Sequence, residues 1–309
     1  MRKIIGMGEA ILDIIFRNNQ PQQAVPGGST FNCMVSLGRC GLPVLFISEL
    51  GRDKTGGLIR SFMEENNLST DWIDPFEKGQ TPVALAFLND DRQAEYVFYT
   101  HFPEKRLNVS FPPVCENDLV IFGSYFAVNP VLREKTRSFL RYADEQKAIV
   151  YYDINFRKAH EKERLALMDS FLENFRLSTL VRCSEEDLAV LFPGSSIEDL
   201  YNRYFRSENK CLIVTRGEKE ILLKTPFFEK EYAVEALIPV STVGAGDNFN
   251  AGLAYGLIQN QILRNDLNSL QENQWDRLIE LAKAFASEVC MSMDNYISRE
   301  FAQFLDFHR

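Results

Sequence analysis

The 309-residue sequence predicts an α/β fold, a mainly parallel sheet flanked by helices, with a smaller β-sheet beside it. Two observations carry the main sheet. Short apolar runs alternate with helical stretches through most of the chain, the rhythm of strand–helix–strand units. Several of those runs are apolar throughout, as suits central parallel strands covered on both faces. The smaller sheet rests on two regions that break this rhythm, Leu12–Gln23 and Pro82–Tyr99.

In chain order, Lys3–Met7 is the first apolar run. Leu12–Gln23 then reads as antiparallel strand. A helical stretch from Cys33 to Cys40 stops at Gly41, and Val44–Ser48 is the next strand, followed by a helix over Gly56–Asn66. Pro82–Tyr99 has a hairpin pattern: Val83–Leu88, the turn Asn89-Asp90-Asp91, then Ala94–Tyr99. Leu119–Phe122, Ala148–Asp153, Thr179–Cys183 and Cys211–Thr215 are further strands. Between them lie helical stretches such as Pro130–Gln146 and Lys162–Phe175. The chain shows no linker, low-complexity tract or internal repeat.

Charge and composition exclude several classes. With 43 acidic against 34 basic side chains the net charge is −9, and no Lys/Arg cluster offers a nucleic-acid surface. No stretch reaches the ~20 apolar residues of a membrane span, and Met1–Gly6 is too short an apolar run for a signal peptide. The six cysteines, at 33, 40, 115, 183, 211 and 290, form no Cys-x-x-Cys pair; they read as small buried hydrophobes of a reduced, cytoplasmic protein. Three separated histidines (His101, His160, His308) make no metal site, and no Gly-x-Ser-x-Gly elbow supports a hydrolase.

The chemistry is concentrated in Ser241-Thr242-Val243-Gly244-Ala245-Gly246-Asp247, a small-residue loop opening into a helix with Phe249, Leu253, Ala254 and Leu257 on its apolar face. Amides of Gly244, Ala245 and Gly246 at a helix N-terminus favour an anion. Asp247, the one carboxylate inside that positive pocket, is placed to take a proton from a nucleophile while the amides hold a phosphate. The competing reading is a plain helix N-cap. Far upstream stands a second glycine-bearing segment, Pro26-Gly27-Gly28-Ser29-Thr30-Phe31-Asn32, followed by Gly51-Arg52-Asp53-Lys54-Thr55-Gly56.

With Gly8-Glu9-Ala10-Ile11-Leu12-Asp13, these pieces resemble the ribokinase-like, or PfkB, family of sugar kinases, whose fingerprints are Gly-Gly-x-x-x-Asn with Gly-x-Asp-x-x-Gly, and Gly-Ala-Gly-Asp. Both stand in the family's order, and the likeness runs along nearly the whole chain. The resemblance implies one ribokinase-like, three-layer α/β/α Rossmann-like domain over 1–309, with a β lid formed by about 12–25 and 82–104. It also implies transfer of a phosphoryl group from Mg-ATP to a sugar hydroxyl, with Asp247 as general base and the Gly244–Asp247 amides as anion hole. Fructose is the first substrate suggested; ribose, 2-keto-3-deoxygluconate or a nucleoside stay open, and a lid-to-lid homodimer is a family expectation.

In that light Asp13, Gly27, Gly28 and Asn32 face the sugar, although Asp13 also suits a strand-end turn. Asp153-x-Asn155-x-Arg157 follows the strongest strand, at the sheet edge that faces ligands. Arg157 steadies substrate or phosphoryl group, or else pairs with Asp153. Thr215, Arg216 and Gly217 form the nucleotide turn. Lys283 either lines the adenine pocket or is an ordinary solvated helix lysine.

Four departures stand out. The family's Asn-x-x-Glu is Ser184-Glu185-Glu186-Asp187 here, with Asp187 the nearest candidate for arranging magnesium and Glu186 an alternative; the ion enters mostly through the ATP phosphates. Glu220 replaces a glycine of the nucleotide turn. Ser241 replaces an aspartate of a potassium site, so monovalent-cation activation is not expected. Asp294-Asn295 replaces Gly-Ala. The rivals are a non-catalytic relative that binds sugar or nucleotide, and a dinucleotide oxidoreductase suggested by Gly6-x-Gly8 but lacking the third glycine.

Overall fold

The structure, a computed structural model, describes residues 2–88 and 94–307. The chain opens with β1 (Ile4–Met7), wholly buried. β2 (Ile11–Arg17) and β3 (Gln20–Gly27) form a hairpin through Asn18 and Asn19, both at positive φ (52° and 58°), as a tight two-residue reversal requires. α1 (Ser29–Arg39) is followed by Gly41 in the left-handed region. Then come β4 (Val44–Gly51), α2 (Lys54–Glu65), and the short β5 (Leu68–Ser69) and β6 (Ile73–Phe76).

A second pair, β7 (Gln80–Leu88) and β8 (Ala94–His101), precedes the repeating half: β9 (Leu119–Gly123), α3 (Arg133–Glu145), β10 (Ile149–Asp153), α4 (Arg164–Leu177), β11 (Leu180–Ser184), α5 (Glu185–Leu191), α6 (Ile197–Tyr204) and β12 (Cys211–Thr215). β13 (Glu220–Lys224) and β14 (Glu229–Ala233) finish the sheet, and α7 (Ala245–Gln259), α8 (Glu272–Cys290) and α9 (Arg299–Phe307) close the chain.

The large sheet runs β14-β13-β12-β11-β10-β9-β1-β4-β5, with β6 on β4; its pairings are parallel except β12–β13 and β13–β14, where β13 alone runs against the rest. Successive side chains point to opposite faces of a strand. In β10, Ile149 and Tyr151 join the core that also holds Phe31 of α1, Phe249 of α7 and Trp275 of α8. Val150 and Tyr152 join the core with Phe139 of α3, Phe171 of α4 and Leu188 of α5. Two cores on one sheet make the three-layer α/β/α arrangement, and they explain why the parallel strands read as apolar throughout.

Most expected strands of the large sheet lie within a residue of the observed ones, while β4 runs three residues past Ser48 and β3 four past Gln23, and the smaller sheet corrects its reading as simply antiparallel. Its order is β3-β2-β7-β8: each hairpin is antiparallel, while β2 and β7 join them in parallel from Leu12↔Val83 to Arg17↔Leu88. The two hairpins are separated by α1, β4 and α2, a connection long enough to bring β7 alongside β2 in the same direction. The turn Asn89-Asp90-Asp91, like His308, lies outside the described residues. A further correction concerns Cys115, which is exposed in the loop before β9; all six cysteines are free and the other five are buried.

The upstream Gly-x-Asp-x-x-Gly segment is a latch between the sheets. Asp53 caps α2 by accepting from Gly56 N (2.7 Å), and it also accepts from Thr81 N (2.7 Å) and Thr81 Oγ1 (2.9 Å) at the start of β7. Gly51 N donates to Thr81 Oγ1 (2.9 Å). Among the described residues, no helix is long and apolar enough to cross a membrane.

Candidate active site

The carboxyl ends of β10, β11 and β12 converge on the N-terminus of α7, the place where parallel α/β sheets bind ligands. Gly244 caps α7 with φ 80°, and a Cβ there would lie 2.8 Å from the Asn295 carbonyl. A side chain is thus refused on two counts. The loop is fastened from below, where Asn248 Nδ2 donates to the carbonyls of Gly244 and Asn295 (both 2.8 Å) and Ser36 Oγ donates to Asn248 Oδ1 (2.5 Å). Ala245 N–H turns back to the Thr242 carbonyl at 3.3 Å, so the first-turn amides of Gly246 and Asp247 are the better anion donors of the expected hole.

Asp247 is buried, and Asn32 of α1 donates from Nδ2 to its Oδ2 at 2.8 Å. Burial is the main cause lifting its pKa to about 6; Asn32, Arg157 and Ser29 pull it down and Asp153 pushes it up. A buried carboxyl titrating just below neutrality, beside anion-binding amides, can accept a hydroxyl proton at pH 7.

Asp13, on β2, is also buried, and its pKa is lifted to about 7 by burial first and then by Asp247 and Glu9. Asn295 Nδ2 donates to Asp13 Oδ2 at 3.3 Å. Glu9 is raised to about 7 as well, chiefly by burial. Gly27 and Gly28 are glycines for the protein's own crowding. A Cβ on Gly27 would meet Asp13 Oδ2 at 2.2 Å, and one on Gly28, at φ 126°, would meet the Glu9 carbonyl at the same distance. Across a narrow cleft, Asp13, Ile15, Ala86 and Tyr96 of the smaller sheet face Ser241, Val243 and Asn295.

Asn155 holds φ 38° just past β10, and Arg157 is exposed. The Asp153–Arg157 ion pair weighed above is replaced by another. Asp153 Oδ1 takes Arg182 Nη1 (3.1 Å) and Oδ2 takes Asn250 Nδ2 (2.8 Å), so Arg157 is left to bear on Asp13 and Asp247.

The residues expected on the nucleotide side divide. Thr215 Oγ1 accepts from Arg182 Nη2 (2.6 Å). Arg216 is held by Glu220, Glu185 and Glu231, and Gly217 turns the chain at φ 64°. The glutamate that replaces a glycine in this turn therefore clamps its own arginine. Ser184 and Asp187 form a capping box on α5: Asp187 Oδ2 accepts from Ser184 N and Oγ, while Oδ1 accepts from Phe156 N. With those bonds in place Asp187 suits magnesium held through water and phosphate better than direct ligation. Among the described residues no group of three or more His, Cys, Asp or Glu is arranged to hold a metal. Lys283 stays on its own helix, its ammonium 2.9 Å from Glu280, and takes no part in the hydrogen bonds around Asp247.

Sequence reasoning missed Arg182, Asn250 and Glu9. Arg182 had one visible signal: a charged residue in the middle of an apolar strand.

Comparison with known proteins decides the family. The model of the pfkB family carbohydrate kinases matches residues 1–300. The chain belongs to that family of carbohydrate kinases. Among relatives of this kinase, "Probable fructokinase-6, chloroplastic" of Arabidopsis thaliana is 24% identical over 284 residues, covering 88% of this chain and 72% of the relative. Fructokinase-1 of Oryza sativa subsp. japonica is 25% identical over 255 residues, 80% of this chain and 78% of the relative. Among solved structures, the ATP-bound fructokinase of Xylella fastidiosa superposes with TM-score 0.81 at 20% identity, covering 99% of this kinase and 98% of that chain. The aminoimidazole riboside kinase of Salmonella enterica, with its riboside and an ATP analogue, gives 0.77 at 22% identity and covers 99% of each. A double mutant of the Vibrio cholerae O395 fructokinase, in its fructose, ADP and potassium ion bound form, gives 0.81 at 20% identity, covering 96% and 94%. At these identities the structures establish the fold alone.

Proposed function

We propose that this kinase transfers the γ-phosphoryl group of ATP to a hydroxyl of a free sugar, with fructose the first candidate. The observation that carries the reading is Asp247, a buried carboxylate titrating near pH 6, held by Asn32 at the N-terminus of α7. Asp247 takes the proton of the attacking hydroxyl. The Gly246 and Asp247 amides, behind the Gly244 turn, hold the charge that develops on the transferring group. Asp13, Asn32, Asn155 and Arg157 bind and orient the sugar, and the crowding at Gly27 and Gly28 fixes where Asp13 stands. Thr215, Arg216 and Gly217 line the nucleotide side. Magnesium would supply neutralisation of the charge on the ATP phosphates, with Ser184 and Asp187 the residues that would help to hold it through water.

Residues 1–309 act as one unit, and the smaller sheet, about 12–25 and 82–104, is a lid that excludes water from the transfer. Its outward residues Phe16 and Phe87, stacked at 4.9 Å, with Val97 and Tyr99, present an apolar face suited to a second copy of the chain. With a buried Ser241 in the loop, turnover needs no potassium. The six free cysteines suit a reducing cytoplasm.

The test is coupled ADP release with Mg-ATP against a panel of sugars, sugar acids and nucleosides, with and without potassium. Turnover on one sugar, abolished in Asp247→Asn, supports the reading and names the substrate. Ligand-dependent stabilisation without turnover on any panel member overturns it, and turnover on a nucleoside alone moves the substrate to the riboside class.

A further inference from the structure

A basic side chain lies under the anion-binding loop, in a strand that is otherwise apolar. Arg182 sits in β11 with its side chain 8% exposed. Its Nη1 donates to Asp153 Oδ1 and its Nη2 to Thr215 Oγ1. A Cβ added to Gly246 would lie 2.9 Å from both Nη1 and Nη2. The second glycine of the loop is thus packed against the flat guanidinium and leaves no room for a side chain. Asp153 is held from its other oxygen by Asn250 Nδ2, and Asn250 in turn accepts from Tyr151 OH at 2.7 Å. One buried network thereby joins β10, β11, β12 and α7 beneath Gly246. Arg182 Nε has no acceptor among the described residues, so the network does not consume every donor of the guanidinium.

We propose that Arg182 is a positioning residue for phosphoryl transfer: its guanidinium backs Gly246, ties the loop to Thr215 in the nucleotide turn, and neutralises Asp153 so that the loop can receive a phosphate. This inference rests on the kinase reading above. Its physical content is charge balance. Without Arg182, the buried Asp153 carboxylate would stand uncompensated beside a loop that must accept an anion, and buried like charges repel strongly where little water screens them. A lysine would keep the charge but lose the planar fork that reaches Asp153 and Thr215 together while filling the space under Gly246.

The same geometry links Arg182 to the proton acceptor. Charged or titratable groups bear on Asp247 from every side: Asp13 on β2, Cys33 on α1, Tyr96 on β8, Asp153 at the end of β10, and Arg157 after it. Glu9 acts through Asp13. Asp153 is the one whose charge Arg182 cancels. Unpaired, it would push the Asp247 pKa further up.

The experiment measures three things on the full chain: turnover against pH, binding of ADP and of a non-transferable ATP analogue, and the thermal midpoint. Arg182→Gln is expected to weaken the analogue about tenfold more than ADP and to move the acid limb of kcat/KM up by about one pH unit. Adding Asp153→Asn should bring that limb back. A lower thermal midpoint with the limb and the analogue-to-ADP ratio unchanged would mean an ion pair that only holds the fold, and would overturn the proposal. Should Arg182→Gln fail to fold, Arg182→Lys decides: an unmoved acid limb with a reduced kcat supports the positioning role, and a wild-type kcat ends it. Wild-type protein inactive on every panel compound would sink the kinase reading instead, and the analogue-to-ADP ratio would still report on Arg182.

Discussion

Asn32 donates to Asp247 across 215 positions of sequence, at 2.8 Å and out of contact with water. The bond joins the two glycine-bearing segments of the chain and holds the carboxylate in its charged form against the cost of burial. Asp247→Asn keeps the shape and removes the proposed base. Turnover is expected to fall ~10²–10⁴-fold, with a thermal midpoint equal to or above wild type at pH 7.5, since a buried charge has been relieved. Steady-state kinetics beside a melting curve check both halves.

Activity and stability should respond to acid in opposite directions. Asp247, Asp13 and Glu9 have folded pKa values of about 6, 7 and 7, all above their ordinary carboxylate values. Between those ordinary values and about 7 the folded protein binds more protons than the unfolded chain, so stability falls as pH rises through that window. Asp247, in the proposed role of base, works only deprotonated. Lowering the pH from 7.5 to 5.5 should raise the melting temperature while kcat/KM declines below an acid limb near 6. Parallel losses in both quantities would contradict this.

Gly244→Ala tests the cap of α7. At φ 80° an alanine is strained, and its Cβ meets a backbone carbonyl 2.8 Å away that cannot swing aside. A loss of about 1–3 kcal/mol is expected in urea unfolding, together with weaker ATP-analogue binding. Gly217→Ala is the comparison. It has a similar φ of 64° with nothing within 4 Å, and it should lose only the strain part.

Arg106 and Glu49 form a buried pair, 8% and 3% exposed, with Arg106 also lying over the Phe102 ring. Arg106→Ala leaves Glu49 charged and buried, at a cost of about 3–5 kcal/mol. Adding Glu49→Gln should recover much of that. Additive losses in the double-mutant cycle would show that the two residues act separately.

The outward face of the smaller sheet carries Val97 at 42% and Tyr99 at 60% exposure. Tyr99→Lys is expected to shift the protein from dimer to monomer in light scattering coupled to size exclusion, without altering the melting of the monomer. A wild-type chain that runs as a monomer at high concentration would refute the pairing.

The parallel sheet was legible because its strands are buried on both faces and so carry continuous apolar runs; β10 is the clearest case. The Gly-Ala-Gly-Asp loop was legible because few residue types tolerate a left-handed cap pressed against a neighbouring carbonyl. What stayed hidden depends on which distant residues meet. The sequence around Asp153 offered Arg157 as its partner four positions on, and the fold supplied Arg182 from the next strand. Nor could hairpin periodicity reveal that β2 and β7 run parallel, since alternation of side chains is the same in either direction.

That parallel join also bears on how the chain folds. Each hairpin can close locally in microseconds, but the pairing of Leu12 with Val83 spans about seventy residues and must wait for its intervening segment to compact. The Asp53–Thr81 latch lies inside that segment, and once made it shortens the remaining loop from about seventy residues to about forty, counted from Leu12 to Asp53. The strand that carries Asp13 therefore docks more readily once the latch is made, so loosening Asp53–Thr81 should slow the recovery of the smaller sheet during refolding.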